Sequence, residues 1–356
     1  MKAYLSLLLL LGIVLSIKAQ TKQEKAYELK NEAIHLMDSG LIHNAIALLD
    51  SAQRLDPENI MILYEKALAF QLEKNFDKSI DLAKLLLKHA NAFDQVYQLL
   101  GDSYGLLGDK GKALKTYEKG IKKFPKSGLL YLEKGMVLAS QKKLNEALSS
   151  WEKGIVMAPS YSSNYYYASK MLSTSNEKIW SIYYGELFMN LEPNSERSKI
   201  ISKLMYDTYQ TCLPISNGNW GLAFSTKANY ISLGNLKNLK FSFETVHNLS
   251  LEAGLTDIDT VFTIQNLVLI RKQFLRDWKS HYAIRYPNLI FDYHDYLTRS
   301  NQMETYLFWL MQYGAPKEFE QWKLSHKKVY KSFLSWRRNN SMSFSDSRKI
   351  NRFSYD

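Results

Sequence analysis

Between residues 22 and 193 the apolar positions recur at helical spacing, and they recur on a grid. Blocks of 34 residues starting at Ala26, Ile60, Asp94, Gly128 and Ser162 align without a gap. Block position 8 then reads Ala33, Ala67, Gly101, Gly135 and Ser169, and position 20 reads Ala45, Ser79, Ala113, Ala147 and Ser181. All are small. Position 4 reads Leu29, Leu63, Tyr97, Tyr131 and Tyr165, and position 11 reads Leu36, Phe70, Tyr104, Leu138 and Leu172. All are large. Large residues beside small ones at this spacing predict two helices per block, because small side chains let two backbones approach while large ones fill the space beside them. Pro57, Pro125, Pro159 and Pro193 share the grid at position 32, with Asn91 in the second slot. Each proline stops the second helix and turns the chain into the next block. A fixed period of this length marks a stacked helix-turn-helix array. The prediction is an all-α chain, a right-handed α-solenoid of about five helix-turn-helix repeats over 20–193, followed by an irregular helical C-terminal region over 194–356.

Beyond Pro193 the grid fails but helical period persists. It predicts helices at Asn194–Gln210, with Asn194 or Ser195 as N-cap, and at Lys237–Ala253, Asp257–Tyr286, Leu289–Arg299, Gln302–Tyr313 and Pro316–Arg338. In the last, Phe319, Trp322, Leu324, Val329, Phe333 and Trp336 are expected inside. Lys323, Lys327, Lys328, Lys331, Arg337 and Arg338 are expected outside. Residues 212–236 are rich in Gly, Asn and Ser and read as a loop, with a strand pair around Trp220–Phe224 and Tyr230–Leu233. That loop is either a plain connection or a functional one.

The 34-residue pattern resembles the tetratricopeptide repeat family. LLGDSYGLLGDKGKALKTYEKGIKKFP and EKGMVLASQKKLNEALSSWEKGIVMAP, in the third and fourth blocks, carry most of the family positions. The second block departs at Leu86 and Asn91, and the fifth at Gly185 and Phe188. The resemblance covers 22–193 and implies partner binding by the concave face rather than catalysis. It places the groove at block positions 2, 5, 9, 12 and 13, which include Tyr27, Lys30, Ile34, Met61, Tyr64, Leu68, Gln98, Asp102, Leu129, Leu132, Met136 and Tyr166. Members that grip a peptide carboxylate pair a lysine at position 5 with an asparagine at position 9. Here Lys30 is followed by Ile34 and no block supplies the pair, which argues against that mode. The expected lining is apolar and aromatic, with Tyr27, Met61, Tyr64, Leu68, Leu129, Leu132, Met136 and Tyr166 as partner-binding residues. The other reading is that the chain's own C-terminal helices cover these positions.

The first residues change the picture of location. Lys2 is followed by a 13-residue run, Leu5 to Ile17, apolar apart from Ser6, Gly12 and Ser16, and then by Ala19. That is the layout of a secretory signal peptide over 1–19, and it is too short to span a bilayer, which takes about 20 residues. Export to a periplasm, cell envelope or medium is therefore expected. Cys212 is the one cysteine, so no intramolecular disulfide forms. The formal charge is +11. It is concentrated in 321–356, where nine Lys and Arg face only Asp346 and Asp356. Aromatics lie between these cations, which suits an anionic membrane surface or an acidic protein. Export argues against nucleic acid. The other reading is a solvated helix face with a disordered end.

Linear motifs for chemistry are lacking. None of the seven histidines forms the HExxH pair of a zinc helix, and GxSxG, a phosphate loop and a dinucleotide fingerprint are all missing. No cofactor, metal or catalytic residue is expected. Asp292, His294 and Asp295 read as a solvated helix face, Glu186 and Glu192 as helix surface, and Cys212 as a small buried thiol. The function predicted is an interaction scaffold. The alternatives are a structural factor held at an anionic membrane through the basic C-terminal helix, or a glycan-binding protein using Trp220.

Overall fold

A computed structural model describes residues 21–225, 241–255, 258–345 and 352. The signal-peptide prediction over 1–19, the proposed strand at Tyr230–Leu233 and residues 237–240 of a predicted helix lie outside them. The described chain is helical, with one pair of two-residue strands among the described residues. It divides into two compact units after Lys143.

The first unit holds α1 (residues 21–38), α2 (Ile42–Leu55), α3 (Ile60–Leu72), α4 (Phe76–Leu86), α5 (Asp94–Leu106), α6 (Lys110–Lys123) and α7 (Gly128–Ser140). The small positions sit where backbones meet. Ala33, Ala45, Ala67, Ser79 and Ala113 are all sealed from solvent. A Cβ placed on Gly120 would come within 2.8 Å of both Leu130 and Tyr97. The helices are started by Asn59, Asp109 and Ser127, whose side chains accept from first-turn backbone N–H groups. Pro57 and Pro125 follow directly on the C-cap residues Asp56 and Phe124. The second block, where Asn91 replaces proline, has a shorter second helix. α4 stops at Leu86, and turn bonds from His89 N to Leu86 O and from Ala92 N to His89 O carry the chain on.

One turn position repeats that the hydrophobic pattern does not show. Gly40, Lys74, Gly108 and Lys142 all occupy block position 15, and all have positive φ, from 62° to 87°. The bend between first and second helices demands the left-handed region, which glycine enters freely and lysine enters at a cost of about 1 kcal/mol or more. Lys142→Gly is therefore expected to stabilise the chain by about 0.5 kcal/mol after the entropy lost by the unfolded glycine is set against the relieved strain. A rise in the urea midpoint of Lys142→Gly with no rise in Lys142→Ala would verify it.

The second unit holds α8 (Leu144–Met157), α9 (Ser162–Ser173), α10 (Lys178–Leu191), α11 (Glu196–Cys212), β1 (Ile215–Ser216), β2 (Asn219–Trp220), α12 (Phe243–Gly254), α13 (Ile264–His281), α14 (Leu289–Arg299), α15 (Met303–Met311), α16 (Pro316–Ser325) and α17 (Lys327–Asn339). The grid still operates at its start. Ser169 and Ser181, at positions 8 and 20, exchange hydrogen bonds to each other's carbonyls, both 2.8 Å. α10 is the centre of this unit, buried from Ile179 to Asn190 on every side. Trp180, Phe243, Phe274, Trp278 and Phe291 form a continuous aromatic core around it.

Several expectations need correction here. Of the strand expected at Trp220–Phe224 only Trp220 is in a strand, where Asn219–Trp220 pairs with Ile215–Ser216; its expected partner Tyr230–Leu233 lies outside the described residues. The helix expected at 257–286 begins only at Ile264, where Thr263 caps it. The last helix is two, because the chain breaks at His326, whose ring stacks on Trp322 at 4.6 Å. Leu324 and Val329 then point to solvent rather than inward, and Arg337 turns inward, 4.0 Å over the Trp309 ring. The end of the chain is docked at two described points. Phe344 packs edge-on against Tyr165, and Arg352 donates to Glu152 at 2.9 Å and Glu177 at 2.7 Å.

Candidate partner-binding face

In the first unit the leading helices of successive blocks pack on one another as well as on their own partners, α3 on α5 and α5 on α7. They form a continuous layer, and polar side chains tie it. Gln71 on α3 donates to Ser103 Oγ (2.9 Å) and Leu99 O (3.2 Å) on α5, and Gln98 on α5 donates to Glu133 on α7 at 3.1 Å. Block positions 2, 5 and 9 lie on one face of this layer, because they are three and four residues apart on each helix.

That face is graded. Tyr27 is 61 % exposed, with the Lys30 ammonium 4.6 Å over its ring. Met61 is 41 % exposed. Tyr64, Leu68, Leu129 and Met136 are half-buried, and Tyr64 is braced by Phe93 at 5.1 Å. Leu132 is buried and belongs to the packing. Tyr166, in the second unit, is also buried: Phe188 lies 5.4 Å from its ring and the Arg197 guanidinium 5.1 Å above it. The structure thus brings six of the eight predicted residues to an accessible layer in the first unit.

The face is more acidic than its apolar positions suggest. Asp102, at position 9 of the third block, accepts from Tyr117 OH at 2.5 Å, and burial pushes its carboxyl up to about 6. Glu133, at position 6 of the fourth block, is pushed up to about 7 by burial, with the Asp102 charge adding to it. The Tyr64 hydroxyl is pushed up to about 12, first by burial and then by the charges of Glu65, Asp102 and Asp94. Among the described residues no cation acts on Asp102 or Glu133. Lys134, one residue on, points elsewhere and pairs with Glu118 at 2.9 Å. Glu133 went unnoticed in the sequence because it lies beside position 5 rather than on it.

A second polar cluster lies in the second unit and involves residues predicted to be on the surface. Glu186 and His294 are fully buried, and Arg271 is nearly so. Arg271 Nη2 lies 3.2 Å from Glu186 Oε2, and Arg271 Nη1 donates to His294 Nδ1 at 3.2 Å. His294 Nε2 therefore carries the proton and donates to Glu186 Oε1, which also accepts from Tyr306 OH at 2.8 Å. Tyr209 OH accepts from Arg271. Burial holds His294 below its ordinary range and neutral. Glu186, though burial opposes it, is held down to about 2 by the Arg271 guanidinium and by the hydrogen bonds from His294 and Tyr306. The adjoining void, lined by Tyr209, His247, Arg271 and Phe274, is about 10 Å³, at most one water. Closed to solvent, the cluster joins α10, α13, α14 and α15. Glu192 is separate, paired with Arg197. Asp295 is paired with Lys279 at 2.6 Å and Arg299 at 3.0 Å. Cys212 is buried as expected, and burial pushes its thiol up to about 12.

Residues 30–94 and 94–125 match two family models described as tetratricopeptide repeat. No curated protein sequence matches the chain. Among solved structures, YrrB, described as a TPR protein with an unusual peptide-binding site, is 18 % identical, covering 50 % of this chain and 92 % of its own, with TM-score 0.34. A thermophilic TPR protein of Thermus thermophilus, TTC0263, is 14 % identical over 51 % of this chain and 98 % of its own, with TM-score 0.42. PilF of Pseudomonas aeruginosa is 16 % identical over 53 % and 86 %, with TM-score 0.44. Among the described residues no helix is long and apolar enough to cross a membrane.

Proposed function

Because the array over residues 30–125 belongs to the tetratricopeptide repeat family, we propose that this chain is an exported interaction scaffold whose α1–α3–α5–α7 layer holds a segment of a partner protein. The observation that supports this most is the uncompensated carboxyl pair Asp102 and Glu133, set between the apolar side chains Tyr64, Leu129 and Met136. Two half-desolvated acids without a cation raise the energy of the free protein, and a ligand ammonium or guanidinium removes that cost. The segment that fits carries a Lys or Arg between apolar residues. This polarity is the reverse of carboxylate clamping, in accord with the missing lysine–asparagine pair. Export is supported by the apolar run at 5–17.

The test is selection of segments from an immobilised peptide library by the full chain, repeated with Asp102→Asn/Glu133→Gln. Basic-apolar segments are expected, bound about tenfold more weakly by the double variant. Met61→Ala and Tyr64→Ala weaken the same segments without unfolding the array, since both side chains are accessible. Affinity is expected to fall as pH drops from 8 to 5. Acids whose ordinary ranges have been raised to about 7 and about 6 take up protons across that window and lose their attraction for a cation. Selection of acidic segments, or equal binding by the double variant, would sink this reading.

A further inference from the structure

The α16–α17 corner of the second unit carries a feature that the repeat face does not use. Lys327, Lys331, Leu334 and Arg338 follow one another at intervals of four, three and four residues along α17 and form one outward stripe, with Lys328 beside it. All four cations are exposed, and among the described residues none of them makes an ion pair. Of the two carboxylates on α16, Glu318 accepts from the Ile264 and Gln265 backbone N–H groups and Glu320 is matched by Lys323 at 3.1 Å. The helix cannot roll to hide this stripe. Phe333 is fully buried on the opposite side, Trp336 stacks on Tyr296 at 5.6 Å, and Arg337 is held over Trp309. Two exposed aliphatics lie beside the cations, Leu324 at 67 % and Leu334 at 39 %. Leu324 is there because the chain breaks at His326 instead of continuing one helix.

We propose that the α16–α17 corner docks on an anionic lipid surface, with Lys327, Lys328, Lys331 and Arg338 at the headgroups and Leu324 and Leu334 entering the boundary of the acyl region. Charge complementarity calls for an anionic partner. The aliphatics select lipid over a nucleic acid or a soluble polyanion, because they gain free energy only where an apolar phase lies directly beneath the charged layer. The corner belongs to the second unit and the Asp102–Glu133 face to the first, and they share no residue, so the two readings can fail independently.

The experiment is co-sedimentation of the full chain with phosphatidylcholine vesicles that contain or lack phosphatidylglycerol, at low and high salt. Binding is expected only with the anionic lipid and is expected to weaken with salt. Lys327→Gln/Lys331→Gln/Arg338→Gln should bind about a hundredfold more weakly, since each cation near such a surface contributes about fivefold. Leu324→Ser should weaken binding with no change in salt dependence. As a control, Lys115→Gln/Lys119→Gln/Lys122→Gln removes three exposed cations from α6 and should bind as the parent does. Every altered residue is exposed, and far-ultraviolet circular dichroism establishes that each variant folds. Equal binding to neutral vesicles, unchanged binding by the α17 variant, or equal loss in the α6 control would overturn the proposal. So would retention on heparin with no sedimentation by vesicles.

Discussion

Arg271→Met will destabilise the second unit by about 3–5 kcal/mol, the cost of leaving a buried charge without its partner. Met keeps the apolar stem but not the guanidinium, so the loss is mainly electrostatic with a smaller cavity cost. Glu186 is sealed in α10, and its neighbours Tyr306 and His294 donate hydrogen bonds but supply no net positive charge while His294 is neutral. With the guanidinium gone, the Glu186–His294 pair takes up one proton. The variant should therefore behave differently with pH from its parent. In the parent, His294 is held below 6.5 and Glu186 below 4.5, so the unfolded chain binds more protons and stability is lost as pH falls through those ordinary values. In the variant the folded state already holds the extra proton, so its stability falls as pH rises instead. The gap between the two proteins should be widest near pH 8 and narrow steadily towards pH 5. All seven tryptophans lie between Trp151 and Trp336, so urea unfolding followed by tryptophan fluorescence reports the second unit alone. A constant gap across that pH range would show that Glu186 is not the group left unpaired. Glu186→Gln added to Arg271→Met should recover a large part of the loss, because it removes the orphaned charge as well as its partner.

The same cluster marks the limit of what the sequence could reveal. Glu186 lies on α10, Arg271 on α13 and His294 on α14, so their meeting depends on a packing arrangement that no local period encodes. Read locally, Glu186 and His294 look like surface residues, and that inference failed because α10 is covered on all sides. The reverse held for Leu324 and Val329. Their spacing fits an inward stripe on one long helix, and a break at His326 exposed them. By contrast, the register of the hairpins in the first unit was legible. There each contact between helices repeats at one fixed separation, so the same small and large positions reappear block after block. The left-handed residue at position 15 repeats just as faithfully, but it was hidden because Lys74 and Lys142 stand where glycine would have announced it. The apolar positions of the candidate face follow from the repeat register, although Leu132 and Tyr166 turn out buried. Its acidic half was not legible, because a carboxylate on an exposed-looking helix gives no sign of how much of it packing will bury.

Gly101→Ala tests whether that grid is physical rather than statistical. Gly101 occupies the small position 8, and a Cβ there would lie 2.2 Å from Cε1 and 2.5 Å from Cζ of Tyr117. The ring cannot step aside cheaply, being buried, with its hydroxyl held by Asp102. Helix propensity alone favours alanine by about 1 kcal/mol. The overlap outweighs it, and a net destabilisation of about 3 kcal/mol is expected. The loss should appear in the far-ultraviolet circular dichroism of urea unfolding and not in tryptophan fluorescence, because the affected helices α5 and α6 contain no tryptophan. Tyr117→Leu in the same chain should give back part of it, with a coupling of about 1–3 kcal/mol between the two sites. Simple additivity of the two changes would mean that the small residue at position 8 reflects helix propensity and not the close approach of two helices. Moving Tyr117 also displaces the hydroxyl that holds Asp102. Gly101→Ala should therefore weaken capture of a basic segment even at urea concentrations where the array remains folded, which links the packing rule read from the sequence to the chemistry of the partner-binding face.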